Sequence, residues 1–374
     1  MICGTDEVSK ETLTQWQEAA QYGICIIEGS RCRGVYTPCL PAIECSRITH
    51  IVGHAHITGP DASRMRRLQQ LQHAKLWQIN HVMPRAVDIL KEDGTAQSRE
   101  ESARKKEAIL KALNEEADYV FSVGDMMYDH FEQQLCKVGR NPGTKHASLI
   151  LPLNPDFLKS PTTTTDFSAN VIQVMFFGRT DSTYYVKGVD IAQRAVETAN
   201  AKVSRSGKTI KLTVLGAKPS MEAETVRKLI ALQQEKYRDV SPCVEGFASP
   251  AEVLSYLQRT HIVIMTSRNE PFGLVAMEAI ACEVPVLVSS NSGVARLLEK
   301  HDVEQYLVVQ TSLHHPDDTS SKAQQADIDA WSEAILGLIA EDGKAFYRAK
   351  KLSGTLQKKL DSPYPFMIAL GSGP

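Results

Sequence analysis

The stretch V-I-Q-V-M-F-F-G-R-T-D-S-T-Y-Y-V-K-G-V-D, residues 171–190, decides how the chain is read. Val171–Phe177 is rich in β-branched and aromatic residues and reads as a buried strand. Gly178 then permits a tight turn, and Arg179 and Lys187 project from the loop before a helix. Open α/β sheets bind ligands at the carboxyl ends of parallel strands, where two cations suit a diphosphate. Each such charge-assisted hydrogen bond contributes about 1.5–3 kcal/mol. Taken alone, the two cations read more readily as solvated surface charges.

Outward from this stretch, short β-branched runs alternate with longer helical patterns, the signature of parallel α/β layering. Downstream strands are predicted at Lys211–Leu215, Cys243–Phe247, His261–Thr266, Val284–Ser289 and Gln305–Val309. Ser249-Pro250-Ala251-Glu252 opens an intervening helix, with Ser as N-cap, Pro in the first turn and Glu reaching back. Upstream, Asn154–Asn170 carries Pro155, Pro161 and the polar run Thr162–Asp166, and reads as an interdomain linker. The first half shows strands at Gly23–Glu28, Ile48–His54, Leu76–Asn80, Tyr119–Val123 and Ser148–Leu151. Helices lie between them near Val8–Tyr22, Asp61–His73 and Arg99–Ala117, the last opened by a capping box at Ser98-Arg99-Glu100-Glu101. Two Rossmann-like units in tandem follow: residues 1–155, a linker at 156–170, a second unit at 171–360 and a frayed tail at 361–374.

The 374 residues suffice for two ordinary domains, because single cores stop growing near ~250–300 residues. A net charge of −2 gives no electrostatic case for a nucleic-acid partner. Met1-Ile2-Cys3-Gly4 runs straight into polar residues, unlike a signal peptide, and no apolar run approaches the ~20 residues of a transmembrane segment. The expected compartment is the cytoplasm. Cys3, Cys25, Cys32, Cys39 and Cys45 crowd the first 45 residues without C-x-x-C spacing. They read as reduced thiols, with a metal site or disulfide among Cys32, Cys39 and Cys45 as the alternative.

Two further clusters carry chemistry. In Arg268-Asn269-Glu270-Pro271-Phe272-Gly273-Leu274-Val275-Ala276-Met277-Glu278-Ala279, a strand ends near Thr266 and a helix begins about Gly273. Glu270 lies in the turn and Glu278 about one and a half turns into the helix. Helix N-termini attract anions, so the amides of Gly273 and Leu274 suit a phosphate. Two carboxylates beside a phosphate repel it unless both grip neutral hydroxyls, such as those of a sugar and a ribose. In isolation Glu278 reads more readily as a plain helix-face glutamate. The second cluster, V-P-V-L-V-S-S-N-S-G at residues 284–293, is a buried strand leading into a small-residue turn that permits close approach of another chain or a ligand.

Glu270 and Glu278 form an E-x7-E pair whose setting resembles the family-4 group of retaining GT-B glycosyltransferases. Phe177-Gly178-Arg179 with Lys187-Gly188-Val189-Asp190 is similar to that family's phosphate-binding segment. Leu215-Gly216, Gly246-Phe247 and the Val284–Ser289 strand fall where the family pattern places them. The resemblance implies two Rossmann-like domains with parallel sheets facing an interdomain cleft, the second binding a nucleotide sugar and the first an acceptor. It implies that Gly178, Arg179 and Lys187, with amides of Phe272, Gly273 and Leu274, hold the donor diphosphate. Glu278 would hold the ribose and Glu270 the transferred sugar near its 3- and 4-hydroxyls. It implies no metal and no cofactor, a UDP- or GDP-linked donor, and front-face displacement with retention.

In the first half, Ile51-Val52-Gly53-His54-Ala55-His56 and Trp77-Gln78-Ile79-Asn80-His81 both follow strands. The second resembles the family's strand-plus-His element, which makes His81 a catalytic candidate; His54 and His56 share one face if the strand continues. The first strand-like residues, Met1–Cys3, resemble the family's second strand, so the first βα unit and its glycine-rich loop are expected to be absent. Arg296 stands where family members carry a glutamate, and the helix that crosses back to the first domain is not recognisable after Lys359. A hexosyltransferase is the leading reading. A glycosyltransferase-derived module that binds a nucleotide sugar or glycan without turnover is the alternative, and a phosphorylase or epimerase the third. The acceptor is not legible.

Overall fold

The computed structural model describes residues 2–4, 27–32, 35–38, 45–91, 94–138, 144–180, 183–217, 225–226, 228, 242–303, 307–312 and 321–360. The helix expected at Val8–Tyr22 and the tail at 361–374 lie outside the described residues, as do Cys25 and Cys39. The chain divides into two compact units: residues 1–81, 106–122 and 130–147, and residues 82–105, 123–129 and 148–374.

The smaller unit holds two sheets. In the first, β1 (Ile2–Gly4) pairs parallel to β2 (Ile27–Cys32), which turns back on β3 (Val35–Pro38). That hairpin was not legible in the sequence: Gly29, Ser30 and two arginines interrupt the β-branched pattern that marks a strand. The second sheet runs β4 (His50–His54), β5 (Lys75–Asn80), β6 (Tyr119–Val123) and β7 (Lys145–Leu149) in that order.

Among the described helices, α1 (Ala55–Arg66) belongs to this unit, α2 (Pro84–Asp88) to the larger one, and α3 (Ala96–Glu116) and α4 (Asp125–Val138) are divided between the two. Two expectations are corrected here. The strand ends at His54 and α1 starts at once, six residues before the expected Asp61, with Ala55 at a φ of 46°. His54 and His56 therefore do not share a strand face. Likewise α3 opens before Ser98, whose amide is capped by Thr95 Oγ1 at 3.2 Å, so the expected capping box is not the helix start. The early start of α1 depends on tertiary fit: a Cβ on Gly59 would lie 2.5 Å from Leu113 Cδ1, and one on Gly53 2.8 Å from Gly59 Cα. Only glycines let helix and strand approach so closely.

The larger unit is built on six strands in the order β10-β9-β8-β11-β12-β13. These are β8 (Val171–Phe177), β9 (Thr209–Ala217), β10 (Cys243–Gly246), β11 (Ile262–Met265), β12 (Val286–Ser289) and β13 (Val308–Val309). Every neighbouring pair is parallel. β11 and β12 are buried throughout, as expected of parallel strands covered on both faces. The order reverses between β8 and β11, so the switch point of the sheet lies where those two strands end.

Its helices are α5 (Pro155–Leu158), α6 (Tyr184–Lys187), α7 (Val189–Val203), α8 (Pro250–Leu257), α9 (Leu274–Ala281), α10 (Gly293–Lys300), α11 (Ser321–Glu341) and α12 (Gly343–Leu360). The capping box at Ser249 forms as the sequence predicts. α7 buries Val189, Ala192, Val196, Ala199 and Val203 at three- and four-residue spacing and packs against α11. α11 and α12 were not foreseen. Ile328, Trp331, Ile335 and Leu338 keep a helical period, but Gly337, Gly343 and Gly354 blur it. Residues 156–170 are tied to this unit: Phe167 is fully buried, its amide donates to Asp342 Oδ1 at 2.9 Å, and Thr162 donates to Cys282 O at 2.7 Å. No described helix is long and apolar enough to cross a membrane.

Candidate donor site at the switch point of the larger sheet

β8 ends at Phe177, and Gly178 holds the turn by donating to Leu215 O at 3.0 Å. Arg179 is exposed; Asp181 and Ser182 lie outside the described residues. The chain re-enters as α6, a single turn whose last residue is Lys187. Gly188 then reverses direction at a φ of +70°, and α7 begins. A Cβ at Gly188 would lie 2.1 Å from Thr266 O, so glycine is required there by conformation and by space.

On the neighbouring strand, β11 ends at Met265 and the loop to α9 carries Arg268 and Glu270. Arg268 is fully buried beneath it. Its guanidinium forks onto Asp190 with two bonds of 2.7 Å, donates to Tyr185 O at 2.7 Å, and lies 3.6 Å from the Tyr185 ring centre. Its amide donates to Val186 O at 2.8 Å. One buried arginine thus staples the Lys187 segment to the Glu270 segment. The sequence showed both residues but not their pairing, since nothing in spacing links positions so far apart in the chain.

Glu270 is held from a third side. Its amide donates to Asn291 O at 3.0 Å, and Gly293 donates to Glu270 O at 2.9 Å. The small-residue turn after β12 was read as permitting close approach of a chain or a ligand. The chain itself makes that approach: a Cβ at Gly293 would lie 2.3 Å from Pro271 O. Across the loop Lys187 Nζ lies 2.5 Å from Glu270 Oε2. This brings together two residues singled out separately.

Phe272 is buried, Gly273 takes a φ of +111° as the N-cap of α9, and among the described residues no side chain caps that helix start. Leu274, its first residue, is 54% exposed. Such a start is suited to an anion. Glu278 follows on the same helix, part-buried, with Oε2 lacking a partner among the described residues. Burial pushes its carboxyl from 4.5 up to about 7.

A stability signature follows from that shift. Between about pH 4.5 and 7 the folded chain keeps a proton that the unfolded chain has released, so stability falls as pH rises through this window. Glu278→Gln removes the effect. The variant is expected to be about 1–3 kcal/mol more stable than the parent near pH 8 and nearly equal to it near pH 4.5. Thermal melts across that range would check this, and parallel profiles would count against a buried, strained carboxyl.

His81 lies in the smaller unit, at the end of β5. Its ring centre is 5.9 Å from that of His54. Burial, then the neighbouring His54 and His56, lower its pKa. Beneath it, buried Gln78 donates to Ala55 O at 3.1 Å and Asn80 to Asn114 Oδ1 at 3.0 Å, fixing the strand end. Arg296 pairs with Asp129 at 2.8 Å within the larger unit.

An open parallel sheet of this order defines a doubly wound α/β domain, and the two sheet-based units match the GT-B fold. A sucrose-phosphate synthase from Thermosynechococcus elongatus superposes over 93% of this chain and 82% of its own, with a TM-score of 0.60 at 17% identity. Anabaena Alr3699/HepE, solved in complex with UDP and glucose, matches 100% of this chain and 92% of its own, with a TM-score of 0.58 at 16% identity. The D-inositol 3-phosphate glycosyltransferase of Paenarthrobacter aurescens strain TC1 is 22% identical over 278 residues, covering 72% of this chain and 64% of that relative. Residues 8–363 match the family described as GT4-conflict: Family 4 Glycosyltransferase in conflict systems, and the chain belongs to it.

Proposed function

We propose that the chain transfers a hexose from a nucleotide diphosphate sugar to an acceptor, with retention at the anomeric carbon and without a metal ion. One observation carries this reading. Lys187 and Glu270 pair at the carboxyl end of the sheet where its strand order reverses, with Glu270 in the loop that leads to the uncapped start of α9, the helix that carries Glu278.

In this reading Arg179 and Lys187 neutralise the diphosphate as it becomes the leaving group, and amides around Phe272, Gly273 and Leu274 complete its cradle. These are fixed positive groups aimed at developing negative charge, the largest single contribution in most enzymes. Gly178 stands beside Lys187 in this reading, a Cβ there lying 3.8 Å from Lys187 Cδ. Glu278 takes the ribose hydroxyls, whose donation offsets the cost of its buried charge. Glu270 takes the 3- and 4-hydroxyls of the sugar, and His81 is kept as a catalytic candidate. The displacement is front-face, through an oxocarbenium-like transition state, with neither glutamate as nucleophile. The UDP complex of the similarly folded Anabaena protein supports UDP as the first donor nucleotide to try.

Calorimetric titration with UDP, GDP and ADP tests the site. Lys187→Ala is expected to weaken the preferred nucleotide about tenfold or more, the loss of one charge-assisted contact. Unchanged affinity would remove the Lys187 loop from the donor site.

A further inference from the structure

Lys187 and Glu270 are assigned different parts of the donor, yet here they hold each other. Their ion pair is part-buried, the two side chains being 24% and 16% exposed. Ser267 Oγ donates weakly to the same carboxylate oxygen at 3.4 Å. Both backbones are pinned. Glu270 is bonded through its amide and its carbonyl to the turn after β12. Lys187 donates to Thr183 O at 2.8 Å and accepts from Thr266 Oγ1 at 3.3 Å. The pair can therefore open by side-chain rotation while the backbone stays in place.

A diphosphate oxygen and Glu270 compete for one ammonium group. When a bare nucleoside diphosphate takes Lys187, Glu270 is left as a part-buried carboxylate without its cation, beside added negative charge. When a nucleotide sugar takes Lys187, it brings hydroxyl donors that receive Glu270 in the same event. The cost of opening the pair falls on the product and is offset for the substrate.

We propose that the Lys187–Glu270 pair is a partner-exchange latch that sets the preference of this site for a nucleotide sugar over the nucleoside diphosphate left after transfer. The proposal rests on the donor-site reading above. Once the sugar has left, Glu270 recaptures Lys187 and helps to expel the nucleoside diphosphate. The residue that recognises the sugar thereby also determines product release.

The test is calorimetric titration of the full chain with UDP, GDP and ADP and with UDP-glucose, GDP-glucose and ADP-glucose. The parent, Glu270→Gln, Glu270→Ala and Lys187→Ala are compared, each confirmed folded by its thermal melt. Both Glu270 variants are expected to bind the preferred nucleoside diphosphate about three- to tenfold more tightly than the parent, the competing anion being gone. Their affinity for the matching nucleotide sugar is expected not to rise, so the ratio between substrate and product shrinks. Equal or weaker binding of the nucleoside diphosphate by both Glu270 variants, with Lys187→Ala still weakened, overturns the latch and leaves the donor site standing. A folded parent that binds none of the three nucleoside diphosphates overturns both.

Discussion

Arg268→Met is expected to lower the stability of the larger unit by about 3–5 kcal/mol, because it leaves Asp190 buried without its cation. Both partners are buried and joined by two bonds of 2.7 Å, so little solvent is available to compensate either charge. The arginine also closes onto Tyr185 O, so three hydrogen bonds are lost with the side chain. Burial opposes the charge, but Asp190 outweighs it and the guanidinium pKa is raised. Among the described residues, Asp190 keeps only the weaker bond from Gln324 Nε2 at 3.2 Å. Urea unfolding measures the loss. The double variant Arg268→Met with Asp190→Leu should recover much of it, since an apolar pair of similar volume often replaces a buried ion pair at little cost. A single variant that unfolds at the parental midpoint would show that the staple contributes nothing. Because the staple joins the Lys187 and Glu270 segments, nucleotide affinity should fall even where Arg268→Met remains folded.

Gly188→Ala is the second large expected effect. A left-handed backbone costs a non-glycine residue roughly 1–2 kcal/mol. The added carbon would also stand 2.1 Å from Thr266 O, a backbone atom that cannot rotate away. Either Thr266 or the junction of α6 and α7 must shift, and Thr266 Oγ1 bonds that same junction at 2.7 Å through Gly188 O. The combined penalty is about 3 kcal/mol or more, a drop of roughly 6–12 °C in the melting midpoint of a unit this size. Thermal melts would read it directly. Gly207→Ala is a fair control: its φ is also positive, at +77°, but no atom lies within 4 Å of the new carbon. Only the conformational part of the penalty should then appear. Equal losses at both positions would show that the close approach to Thr266 costs nothing.

The larger unit was legible before folding at its strands and its turn glycines. Val171–Phe177 is a strand with the predicted bounds, Gly178 turns after it, and Glu278 sits on the helix that Gly273 opens. Parallel-sheet strands announce themselves because both faces are buried and the run is continuously apolar. Glycine positions announce themselves because φ and space exclude other residues. The smaller unit was read less well. Its first hairpin carries polar residues within its strands, and α1 starts where the sequence looks like the continuation of a strand. There a close fit between Gly53 and Gly59 overrides local preference.

What the sequence determined by itself, then, was the succession of strands in the larger unit, the residue types at their ends, and the family they resemble. These are local properties, written in periodicity and in short motifs. Which side chains hold which was decided only by tertiary structure. The fork of Arg268 on Asp190, the grip of the Asn291–Gly293 turn on Glu270 and the ion pair between Lys187 and Glu270 each join segments far apart in the chain. Such contacts depend on the order and spacing of strands in the sheet, and the strand order β8-β11-β12 sets them side by side. No periodicity encodes that order, because pairing between distant strands is settled by the packing of the whole core.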